Sequence, residues 1–587
     1  MGRRRSRWLF GLLTFIGFLV ILTSGTPTAS ASSVSKGEFL TSLYSLLRLT
    51  PPQGAETKST VPVTRLEVAK EVIKALSYDD LLSFVDVEGL PFPEIRTLKP
   101  EDRKWVALAV SLNPPLFRGD ARGNLNLTQP LTPQEWSYLK TTIQAYANGN
   151  IRFYREKYFH PHLTLAIKKW GFSSSLIPKE ETPPREYLLQ VGAYEERGRA
   201  ERIKDWLTEL GYPAKLYEEN NLFKVRVGPY SQEEANTVLK RLEKQGFPSY
   251  ILRQGGKNAV QDFTGPVFSL ALLFDPIDAP FHLEVSLAND QILDREKTSA
   301  IARRHNALFA LNASFFTQAG EPLGLLMVNG RVLSEPIDGW YNCGITAQNE
   351  IVFGEVKFKA EVRTEQGTTY PLRGINRMNA GNEIVLYDRF FGPKTPAQEG
   401  VECVVKNGVV IQVGQSQGNT PIPANGFIIH GAKEGAQWLL QNAIPGQRMR
   451  VKIGLYPRIE TPQDLEKWQK AKYAVSGGPL LFWQGNPGPF GQFNKDVVSK
   501  RHPRTVIGET QDGKILFLVI DGRRAGHSMG LTIPELVEEL KNYRIKNALN
   551  LDGGGSSTFY LEGTVLNWPS DFSGERKVST ALLLKKR

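Results

Sequence analysis

Cysteine and histidine are scarce in this sequence. The chain has 587 residues but only 2 cysteines and 7 histidines, so a disulfide-stapled scaffold is excluded. Neither Cys343 nor Cys403 stands in a motif with a histidine partner, which argues against a catalytic thiol. The two cysteines form either one disulfide within the C-terminal part of an exported chain or two buried free thiols. The sequence leaves both interpretations open.

Metal-site patterns are missing as well. No cluster of histidines or carboxylates has the spacing of a zinc site, so no catalytic zinc and no other cofactor is expected. A structural calcium ion bound by scattered oxygen atoms would leave no such pattern, and it stays open. His430, His502 and His527 stand alone in the sequence, and a lone histidine is more often a hydrogen-bonded structural residue than a catalyst.

Long hydrophobic runs are limited to the N-terminus. An apolar run from Trp8 to Leu22 follows four arginines within the first seven residues and is followed by Ala29-Ser30-Ala31. A basic start, a short apolar segment and a small-residue cleavage pattern predict a secretory signal peptide over residues 1–31. An uncleaved N-terminal membrane anchor is the alternative. The rest of the protein is expected outside the cytoplasm.

Charge is unevenly balanced towards the basic side. The formal net charge is +12, and the sequence pI is near 9.3. This balance favours anionic surfaces such as phosphate-bearing wall polymers, although it also serves to keep a protein soluble. Nucleic acid is not an expected partner, because the chain is predicted to be exported and has no nucleic-acid-binding module.

Length and composition predict a multidomain protein of three or four domains, with 41% hydrophobic residues to build their cores. Residues 33–170 are predicted to be mostly helical, and residues 171–185 have the serine- and proline-rich composition of a linker. A second flexible joint is expected over residues 254–264. Residues 265–587 mix short strands with helices and predict an α+β domain.

Residues 186–253 contain an internal repeat. An alternating segment, Tyr187 to Tyr194, precedes a stretch of helical period and a short strand, and the same order returns from Leu222 to Leu252. The repeated Gln/Arg-Val-Gly-x-Tyr pattern closely resembles a SPOR domain, which implies a ferredoxin-like split βαβ module that binds peptidoglycan glycan strands lacking stem peptides. A ferredoxin-like scaffold without a glycan role is the alternative. The predicted sugar-contacting residues are Tyr187, Gln190 and Tyr194, since aromatic faces with a polar edge suit saccharides.

The N-terminal helical region carries a shorter set of motifs. Val63-Thr64-Arg65-Leu66-Glu67 precedes an apolar helix, and Phe84-Val85-Asp86, Trp105–Val110 and Phe117-Arg118-Gly119-Asp120 follow in order. This order resembles degenerate S-layer homology repeats, in which the Thr-Arg-x-Glu motif binds a charged secondary wall polysaccharide. The structural alternative is that Thr64 and Glu67 simply form a capping box at the start of a helix.

A glycine-rich segment near the C-terminus is the most informative part of the chain. The apolar strand Ala548–Leu551 runs directly into Asp552-Gly553-Gly554-Gly555-Ser556-Ser557-Thr558. Glycines let the backbone turn tightly and bring several N–H groups onto one ligand oxygen, while Asp552 stands at the strand end where a substrate can reach it. A glycine-rich hairpin turn is the structural alternative.

Other segments of the C-terminal region share this design. Asn312-Ala313-Ser314-Phe315-Phe316, Ser476-Gly477-Gly478-Pro479 and Asp521-Gly522-Arg523-Arg524 each follow an apolar strand, where α/β sheets gather ligands. Arg501-His502-Pro503-Arg504-Thr505 adds the fixed positive charge that a bidentate phosphate contact requires.

Together with Gly530-Leu531-Thr532, these ordered segments resemble the phosphodiester glycosidase family over roughly residues 265–587. The animal member of that family removes α-N-acetylglucosamine from a sugar phosphodiester. The resemblance therefore implies hydrolysis of a glycosidic bond whose leaving group is a phosphate ester.

Chemistry of this kind suggests roles for the residues. A phosphate leaving group needs little protonation, so one carboxylate acting as nucleophile or base, with cationic and N–H stabilisers, is sufficient. Asp552 is the predicted catalytic carboxylate and Asp521 its partner or a sugar-hydroxyl ligand, with an Asx turn before glycine as the alternative for each. Arg504 is predicted to hold the phosphate, with a surface or ion-pair arginine as the alternative. The other predicted substrate-binding residues are small or polar: Thr505, Asn312, Ser314, Gly477, Gly478, Gly553, Gly554, Ser556 and Ser557.

Two functions follow from these patterns. The first is a secreted, cell-wall-associated glycosidase that hydrolyses N-acetylglucosamine-1-phosphodiester-like linkages, with peptidoglycan strands and secondary wall polysaccharide as further partners. The second is a non-catalytic factor that binds peptidoglycan or exopolysaccharide. The joint presence of Asp552, Arg504, Asn312 and Asp521 favours the first.

Overall fold

The computed structural model describes residues 33–120, 122–172, 186–194, 196–219, 222–245, 247, 249–254, 265–458, 461–488 and 493–587. The predicted signal peptide and most of both predicted linkers lie outside these residues. Within the described part of the chain, no helix has the length and apolar character needed to cross a membrane.

The N-terminal region begins as a bundle of short helices. Its elements are α1 (Lys36–Leu46), α2 (Arg65–Ala75), a 3-10 helix (Asp79–Ser83), α3 (Glu94–Thr97), α4 (Pro100–Ser111) and α5 (Pro133–Ala147). The Thr64–Glu67 pair forms a complete capping box at the start of α2, and Thr132 with Glu135 does the same for α5. The apolar faces of these helices are buried in the largest hydrophobic core of the protein.

Two strands follow the helices and belong to the C-terminal region rather than to the bundle. They are β1 (Arg152–His160) and β2 (Leu163–Trp170). The sequence predicted a mostly helical region up to residue 170, but the last helix ends at Ala147. Strand β2 pairs along its whole length with a strand that begins at Val267. The N-terminal region is thereby joined to the sheet that carries the candidate site.

Residues 186–254 fold as two βαβ halves in one unit. The elements are β3 (Glu186–Tyr194), α6 (Arg197–Glu209), β4 (Ala214–Glu219), β5 (Leu222–Tyr230), α7 (Gln232–Lys244) and β6 (Tyr250–Gln254). The strands form one antiparallel sheet in the order β4-β5-β3-β6, which covers its own hydrophobic core. This is the element order that the internal repeat predicts.

The C-terminal region is built mainly from strands. These are β7 (Val267–Phe274), β8 (Phe281–Leu287), β9 (Glu296–Lys297), β10 (Phe309–Asn312), β11 (Leu326–Val328), β12 (Arg331–Ser334), β13 (Tyr341–Thr346), β14 (Ile351–Thr364), β15 (Thr369–Leu372), β16 (Gly374–Ile375), β17 (Ile384–Tyr387), β18 (Gly400–Lys406), β19 (Val409–Ser416), β20 (Gly426–Gly431), β21 (Met449–Pro457), β22 (Ala471–Gly477), β23 (Leu480–Trp483), β24 (Asn486–Pro487), β25 (Arg504–Thr510), β26 (Ile515–Ile520), β27 (Ile545–Asn550), β28 (Phe559–Leu561), β29 (Thr564–Val565), β30 (Lys577–Val578) and β31 (Thr580–Lys586). The helices are α8 (Thr298–Arg304), α9 (Glu434–Asn442), α10 (Pro462–Lys470), α11 (Lys495–Ser499) and α12 (Ile533–Lys541).

An eight-stranded sheet in the order β1-β2-β7-β26-β25-β27-β23-β24 is the main layer. Strand β26 lies near its centre, and all six of its residues are buried, as expected for an uninterrupted apolar run. A five-stranded sheet contains β10, a larger sheet contains β22, and another five-stranded sheet contains β16 to β20. The ends of β10, β22, β26 and β27 and the start of β25 supply the segments that the sequence singled out.

The SPOR-like unit is inserted between two neighbouring strands of the main sheet. Trp170 at the end of β2 pairs with Val267 at the start of β7, so the chain leaves and re-enters the sheet at adjacent positions. Both cysteines are buried and free, so the disulfide interpretation is wrong and the free-thiol interpretation is confirmed. Burial raises the pKa of the Cys403 thiol to about 12, which leaves it unreactive near neutral pH.

Candidate active site

The glycine-rich segment after β27 forms a tight loop against two other strand ends. The Asp552 amide donates to the carbonyl of Ala313 at 3.0 Å, and the Gly554 amide donates to the carbonyl of Pro503 at 3.0 Å. Gly554 has φ +61°, and a Cβ on Gly553 would lie 2.7 Å from the Pro503 carbonyl oxygen. Glycine is therefore required at both positions, because a side chain would strain the backbone or collide with it.

Asp552 is a half-buried carboxylate with a perturbed pKa. Burial raises its pKa to about 6, against the opposing effects of the Ser556 side chain, Arg576, the Gly553 amide and Arg523. A carboxyl group with a pKa near 6 is in the range used for acid–base catalysis, and such groups cluster at functional sites. Asp552 thus lies just after the end of a buried strand, with its carboxylate half-buried.

Two arginines lie beside this loop: Arg523, from the Asp-Gly-Arg-Arg segment, and Arg576, which the sequence did not single out. A Cβ on Gly554 would lie 3.0 Å from Nη2 of Arg523, and a Cβ on Gly555 would lie 2.3 Å from Nη2 of Arg576. Arg576 is held by the carboxylate of Asp571, with contacts of 2.7 and 2.9 Å. Both guanidinium groups lower the pKa of Asp552, so both act on the same small volume.

His502 supports Arg523. The His502 Nδ1 atom lies 3.0 Å from Nη2 of Arg523, which donates to it when the imidazole is neutral. Burial and the charges of Arg523 and Arg504 lower the pKa of His502 to about 4, so the neutral form prevails near pH 7. His502 is therefore a hydrogen-bond acceptor that positions an arginine.

Asn312, Thr505 and Ser557 form a buried network under the loop. The Asn312 side-chain amide donates to the Asp552 carbonyl at 2.6 Å, and its oxygen accepts from the Thr505 hydroxyl at 3.0 Å and from the Thr558 amide at 3.1 Å. The Thr505 hydroxyl also lies 3.0 Å from that of Ser557. These residues were predicted to bind substrate. The structure instead uses their hydrogen bonds to fix the backbone at Asp552.

Ser314 and Ser556 are also buried next to the loop. The Ser314 amide donates to the Thr580 hydroxyl at 2.9 Å, which ties the segment after β10 to β31. Ser556 lies in the short helical turn after Asp552, and its side chain lowers the pKa of that carboxyl group.

Gly477 and Gly478 let a second strand end approach the loop. A Cβ on Gly477 would lie 2.4 Å from the carbonyl oxygen of Asn550, and the Gly478 amide donates to the same oxygen at 2.7 Å. A Cβ on Gly478 would lie 2.3 Å from the ring of Phe493. The two glycines thus serve close packing of backbone and an aromatic ring.

Phe493 belongs to a half-buried aromatic cluster. Its ring centroid lies 5.4 Å from that of Trp340 and 5.9 Å from that of Phe315. Phe315 follows Asn312 and Ser314 along the chain, so the cluster lines the same strand ends as the Asp552 loop. Aromatic faces of this kind suit the apolar faces of sugar rings.

Arg504 does not hold the position that the sequence predicted. It is only 2% exposed, its Nε donates to the Leu531 carbonyl at 2.8 Å, and its Nη2 donates to the carbonyls of Val497 and Lys500 at 2.8 and 2.7 Å. Burial lowers its pKa to about 9. This is a structural arginine, because its guanidinium is engaged by main-chain oxygens and hidden from a substrate phosphate.

Asp521 is likewise an internal anchor rather than a ligand for substrate. Its Oδ1 accepts from the Asn567 side chain at 2.8 Å, and its Oδ2 accepts from the Trp568 amide at 2.7 Å and lies 2.8 Å from His527 Nε2. The residue is 1% exposed. Both carboxylate oxygens are satisfied inside the protein, which corrects the predicted catalytic role.

The predicted sugar-contacting residues of the SPOR-like unit are mostly covered. Tyr187 and Gln190 are each 5% exposed, and Tyr194 is half-buried. Tyr187 packs in the core of the unit, and Gln190 accepts a hydrogen bond from Arg226 at 3.2 Å. Because Tyr187 and Gln190 are covered, the prediction about the sheet face is not supported.

No group of three or more His, Cys, Asp or Glu side chains in the described ranges is arranged to hold a metal ion. The charged groups that act on Asp552 are Arg523 and Arg576, which are held by the neutral His502 and by Asp571 respectively. Of these, Arg523 stood in the Asp-Gly-Arg-Arg segment that drew attention in the sequence, whereas Arg576 stood in no motif. Only the fold brings it to Gly555.

Comparison with known families bears on this arrangement. Residues 399–585 match the family model described as Phosphodiester glycosidase, and residues 183–253 match the SPOR domain model. The C-terminal part of the chain is a phosphodiester glycosidase domain. Residues 183–253 are a SPOR domain. The segment matched to the phosphodiester glycosidase family contains Asp552, Arg523 and Arg576, while Asn312, Phe315 and Trp340 precede it.

Relatives share short segments with this chain. N-acetylglucosamine-1-phosphodiester alpha-N-acetylglucosaminidase of Mus musculus is 37% identical over 98 residues, which is 16% of this chain and 18% of that protein, and the Homo sapiens protein of the same name gives the same values. The SPbeta prophage-derived uncharacterized protein YomE of Bacillus subtilis (strain 168) is 38% identical over 74 residues, 13% of this chain and 11% of that protein. The chain thus spans less than a fifth of the length of these relatives.

A solved structure shares the fold more widely. A protein of Burkholderia pseudomallei K96243 superposes with a TM-score of 0.53 and 22% identity, covering 74% of this chain and 96% of that one. That coverage exceeds the phosphodiester glycosidase match, so the common fold extends well beyond residues 399–585.

Proposed function

We propose that this protein is a wall-associated glycosidase that hydrolyses sugar phosphodiesters, with N-acetylglucosamine 1-phosphodiesters as the model substrate. The observation that carries the proposal is the placement of Asp552, with its pKa raised to about 6, between two guanidinium groups in a phosphodiester glycosidase domain. A glycosyl phosphodiester presents an anionic leaving group and a sugar carbon that becomes positive in the transition state. The two guanidinium groups match the anionic leaving group, and the Asp552 carboxylate matches the positive sugar carbon.

Arg523 and Arg576 are the proposed phosphate ligands. A planar guanidinium binds phosphate oxygens with two parallel hydrogen bonds, and the charge stabilises the phosphate as it leaves with the electrons of the broken bond. Asp571 orients Arg576, and His502 orients Arg523. This assignment replaces the one predicted for Arg504.

Asp552 is the proposed nucleophile or base. As a carboxylate it either attacks the anomeric carbon, or it accepts a proton from the water that attacks. The carbon–oxygen bond to phosphate breaks, water supplies the new hydroxyl of the free sugar, and the phosphate monoester departs. Asn312 fixes the backbone of Asp552 for this step, and the cluster of Phe315, Trp340 and Phe493 is proposed to carry the sugar ring.

The pH dependence of the reaction follows from the pKa of Asp552. A nucleophile or base must be ionised, so kcat/KM should be constant above pH about 7 and should fall by about tenfold per pH unit below the pKa of about 6. The measurement is a pH–rate profile from pH 4 to 8 on a phosphodiester, whose own charge is constant over that range. A rate that rises below pH 6 would instead assign Asp552 as a general acid.

The SPOR domain is proposed to bring the enzyme to peptidoglycan, in the wall or the periplasm. Tethering raises the effective concentration of wall-linked substrate near the site, so even weak glycan binding is useful. The helical N-terminal region is proposed to add contacts to an anionic wall polysaccharide. A cavity of about 470 Å³ there is lined by Arg65, Arg118 and Tyr138, and Arg65 of the Thr-Arg-x-Glu motif also donates to the carbonyls of Leu125 and Asn126.

Removing the SPOR domain should reduce binding to peptidoglycan without reducing catalytic turnover. Replacement of residues 173–264 by a short glycine–serine turn is expected to preserve turnover of a small soluble phosphodiester within about twofold, because Trp170 and Val267 are already paired neighbours. Sedimentation with stripped glycan strands should show a large loss of binding. Equal sedimentation of the two proteins would refute the proposal that the SPOR domain brings the enzyme to peptidoglycan.

A further inference from the structure

The turn after α2 is packed against the loop that carries Arg523. A Cβ on Gly526 would lie 3.0 Å from both Cβ and Oγ of Ser77, so the loop backbone at Gly526 lies close to the Ser77 side chain. Within the loop, Arg524 and Ser528 exchange two main-chain hydrogen bonds of 3.0 and 2.9 Å. The loop that follows β26 therefore has its own local structure and a fixed neighbour in the N-terminal region.

A chain of buried charged groups crosses this contact. Lys169, which is 0% exposed, donates to the Ser77 carbonyl at 2.6 Å and to Asp80 Oδ2 at 2.7 Å. The same Asp80 oxygen lies 2.5 Å from His527 Nδ1, and His527 Nε2 lies 2.8 Å from Asp521 Oδ2. Because both ring nitrogens face carboxylates, the imidazolium form satisfies both contacts at once.

Asp521 connects His527 to the segment that contains Asn567 and Trp568. It accepts from the Trp568 amide and from Asn567, and Asn567 in turn donates to the Ser557 carbonyl at 3.0 Å and accepts from the Phe559 amide at 2.7 Å. The segment that begins at Asn567 leads to the Asp571–Arg576 pair. The network thus joins the loop of Arg523 to the segment that precedes Asp571 and Arg576.

We propose that Asp80, in the N-terminal helical region, is a positioning residue of the phosphate-binding side of the active site, acting through His527 on the loop that holds Arg523. This inference rests on the proposed function, because it concerns the phosphate ligand of that site. It assigns to the helical region a part in catalysis that is separate from any binding of wall polymers.

The protonation of His527 is favoured by the groups around it. Burial alone would lower its pKa, but the carboxylates of Asp521 and Asp80 raise it above the usual value, while the charge of Lys169 opposes them. The aromatic rings of Phe268 and Trp568 also lie beside the His527 imidazole, and the Arg524 guanidinium lies over the Trp568 ring. As pH rises through the pKa of His527, one of the two carboxylates loses its donor and the loop is released.

The test is a double-mutant cycle on the full chain with two substrates that share a sugar, a glycosyl phosphodiester and an aryl glycoside without phosphate. Asp80→Asn should lower kcat/KM on the phosphodiester by about tenfold or more, and on the aryl glycoside by less than about threefold. The pair Asp80→Asn with Arg523→Lys should be no worse than Arg523→Lys alone, because the two residues act as one unit. Asp86→Asn, an exposed residue that pairs with Arg155, is the matched control.

Equal losses on both substrates, or additive losses in the double variant, would overturn the proposal. If Asp80→Asn does not fold, the wild-type protein provides the test, because the ratio of phosphodiester to aryl-glycoside turnover should fall as pH rises through the pKa of His527. A constant ratio would overturn it. If no phosphodiester is cleaved by the wild type, the proposed function fails on its own. Amide hydrogen exchange at Arg524 and Ser528 then decides, with unchanged exchange in Asp80→Asn counting against the proposal.

Discussion

Asp552→Asn should reduce kcat on a glycosyl phosphodiester by a factor on the order of a thousand or more and leave KM nearly unchanged. The substitution keeps the shape of the side chain, and the loop itself is held by the Asp552 amide and carbonyl, which bond to Ala313 and Asn312. The substitution removes the negative charge that stabilises the developing positive charge at the anomeric carbon. Steady-state kinetics on the purified full chain measure the effect.

A matched control is available in Asp512→Asn. Asp512 is an exposed aspartate in the turn between β25 and β26, at the opposite end of the strands that lead to Arg504 and Asp521. We expect wild-type kinetics from it. Near-normal turnover by Asp552→Asn would show that Asp552 serves only the turn, as in the alternative of a non-catalytic wall-binding factor.

The second large effect concerns folding. Residues 265–587 alone should not yield a stable, cooperatively unfolding domain, although that segment was predicted from the sequence as the enzymatic unit. Strand β7 would become an edge strand without its partner β2, and Phe268, Leu270 and Leu272 would lose the neighbours that β2 and the N-terminal helices supply in the largest core. Each buried side chain of this size contributes about 1.5–3 kcal/mol, so the exposure of all three costs about 5–9 kcal/mol, which is comparable to the whole stability of an ordinary domain.

Thermal or denaturant unfolding of three proteins checks this prediction: the full chain, the chain with residues 173–264 replaced by a short turn, and residues 265–587. The first two should unfold cooperatively, and the third should be insoluble or unfold without a transition. A well-folded third protein would show that β1, β2 and the helices are an independent domain, as the sequence suggested.

Local sequence was enough to find the elements that depend on short-range rules. The tight loop at Asp552 was predictable because three glycines after an apolar strand indicate a turn, and the two βαβ halves of the SPOR domain were predictable from their repeat. The capping box at Thr64 was also visible, because its hydrogen bonds join residues three positions apart.

Contacts between distant segments were not predictable in this way. Arg504 stands in a motif that suggests a phosphate ligand, but the carbonyls of Val497, Lys500 and Leu531 engage its guanidinium, and only the tertiary fold brings them together. Arg576 reaches Gly555 through a loop of its own. Asp80 lies more than four hundred residues from His527 along the chain, and no local sequence pattern predicts a contact between the two side chains.

The most direct test of the account is the incubation of the purified full chain with a panel of α- and β-glycosyl phosphodiesters, with Asp552→Asn in parallel, followed by detection of free sugar. The account predicts release of sugar from at least one N-acetylglucosamine 1-phosphodiester by the wild type and a loss of that release on the order of a thousandfold in the variant. No release from any member of the panel by a folded wild-type protein would contradict it.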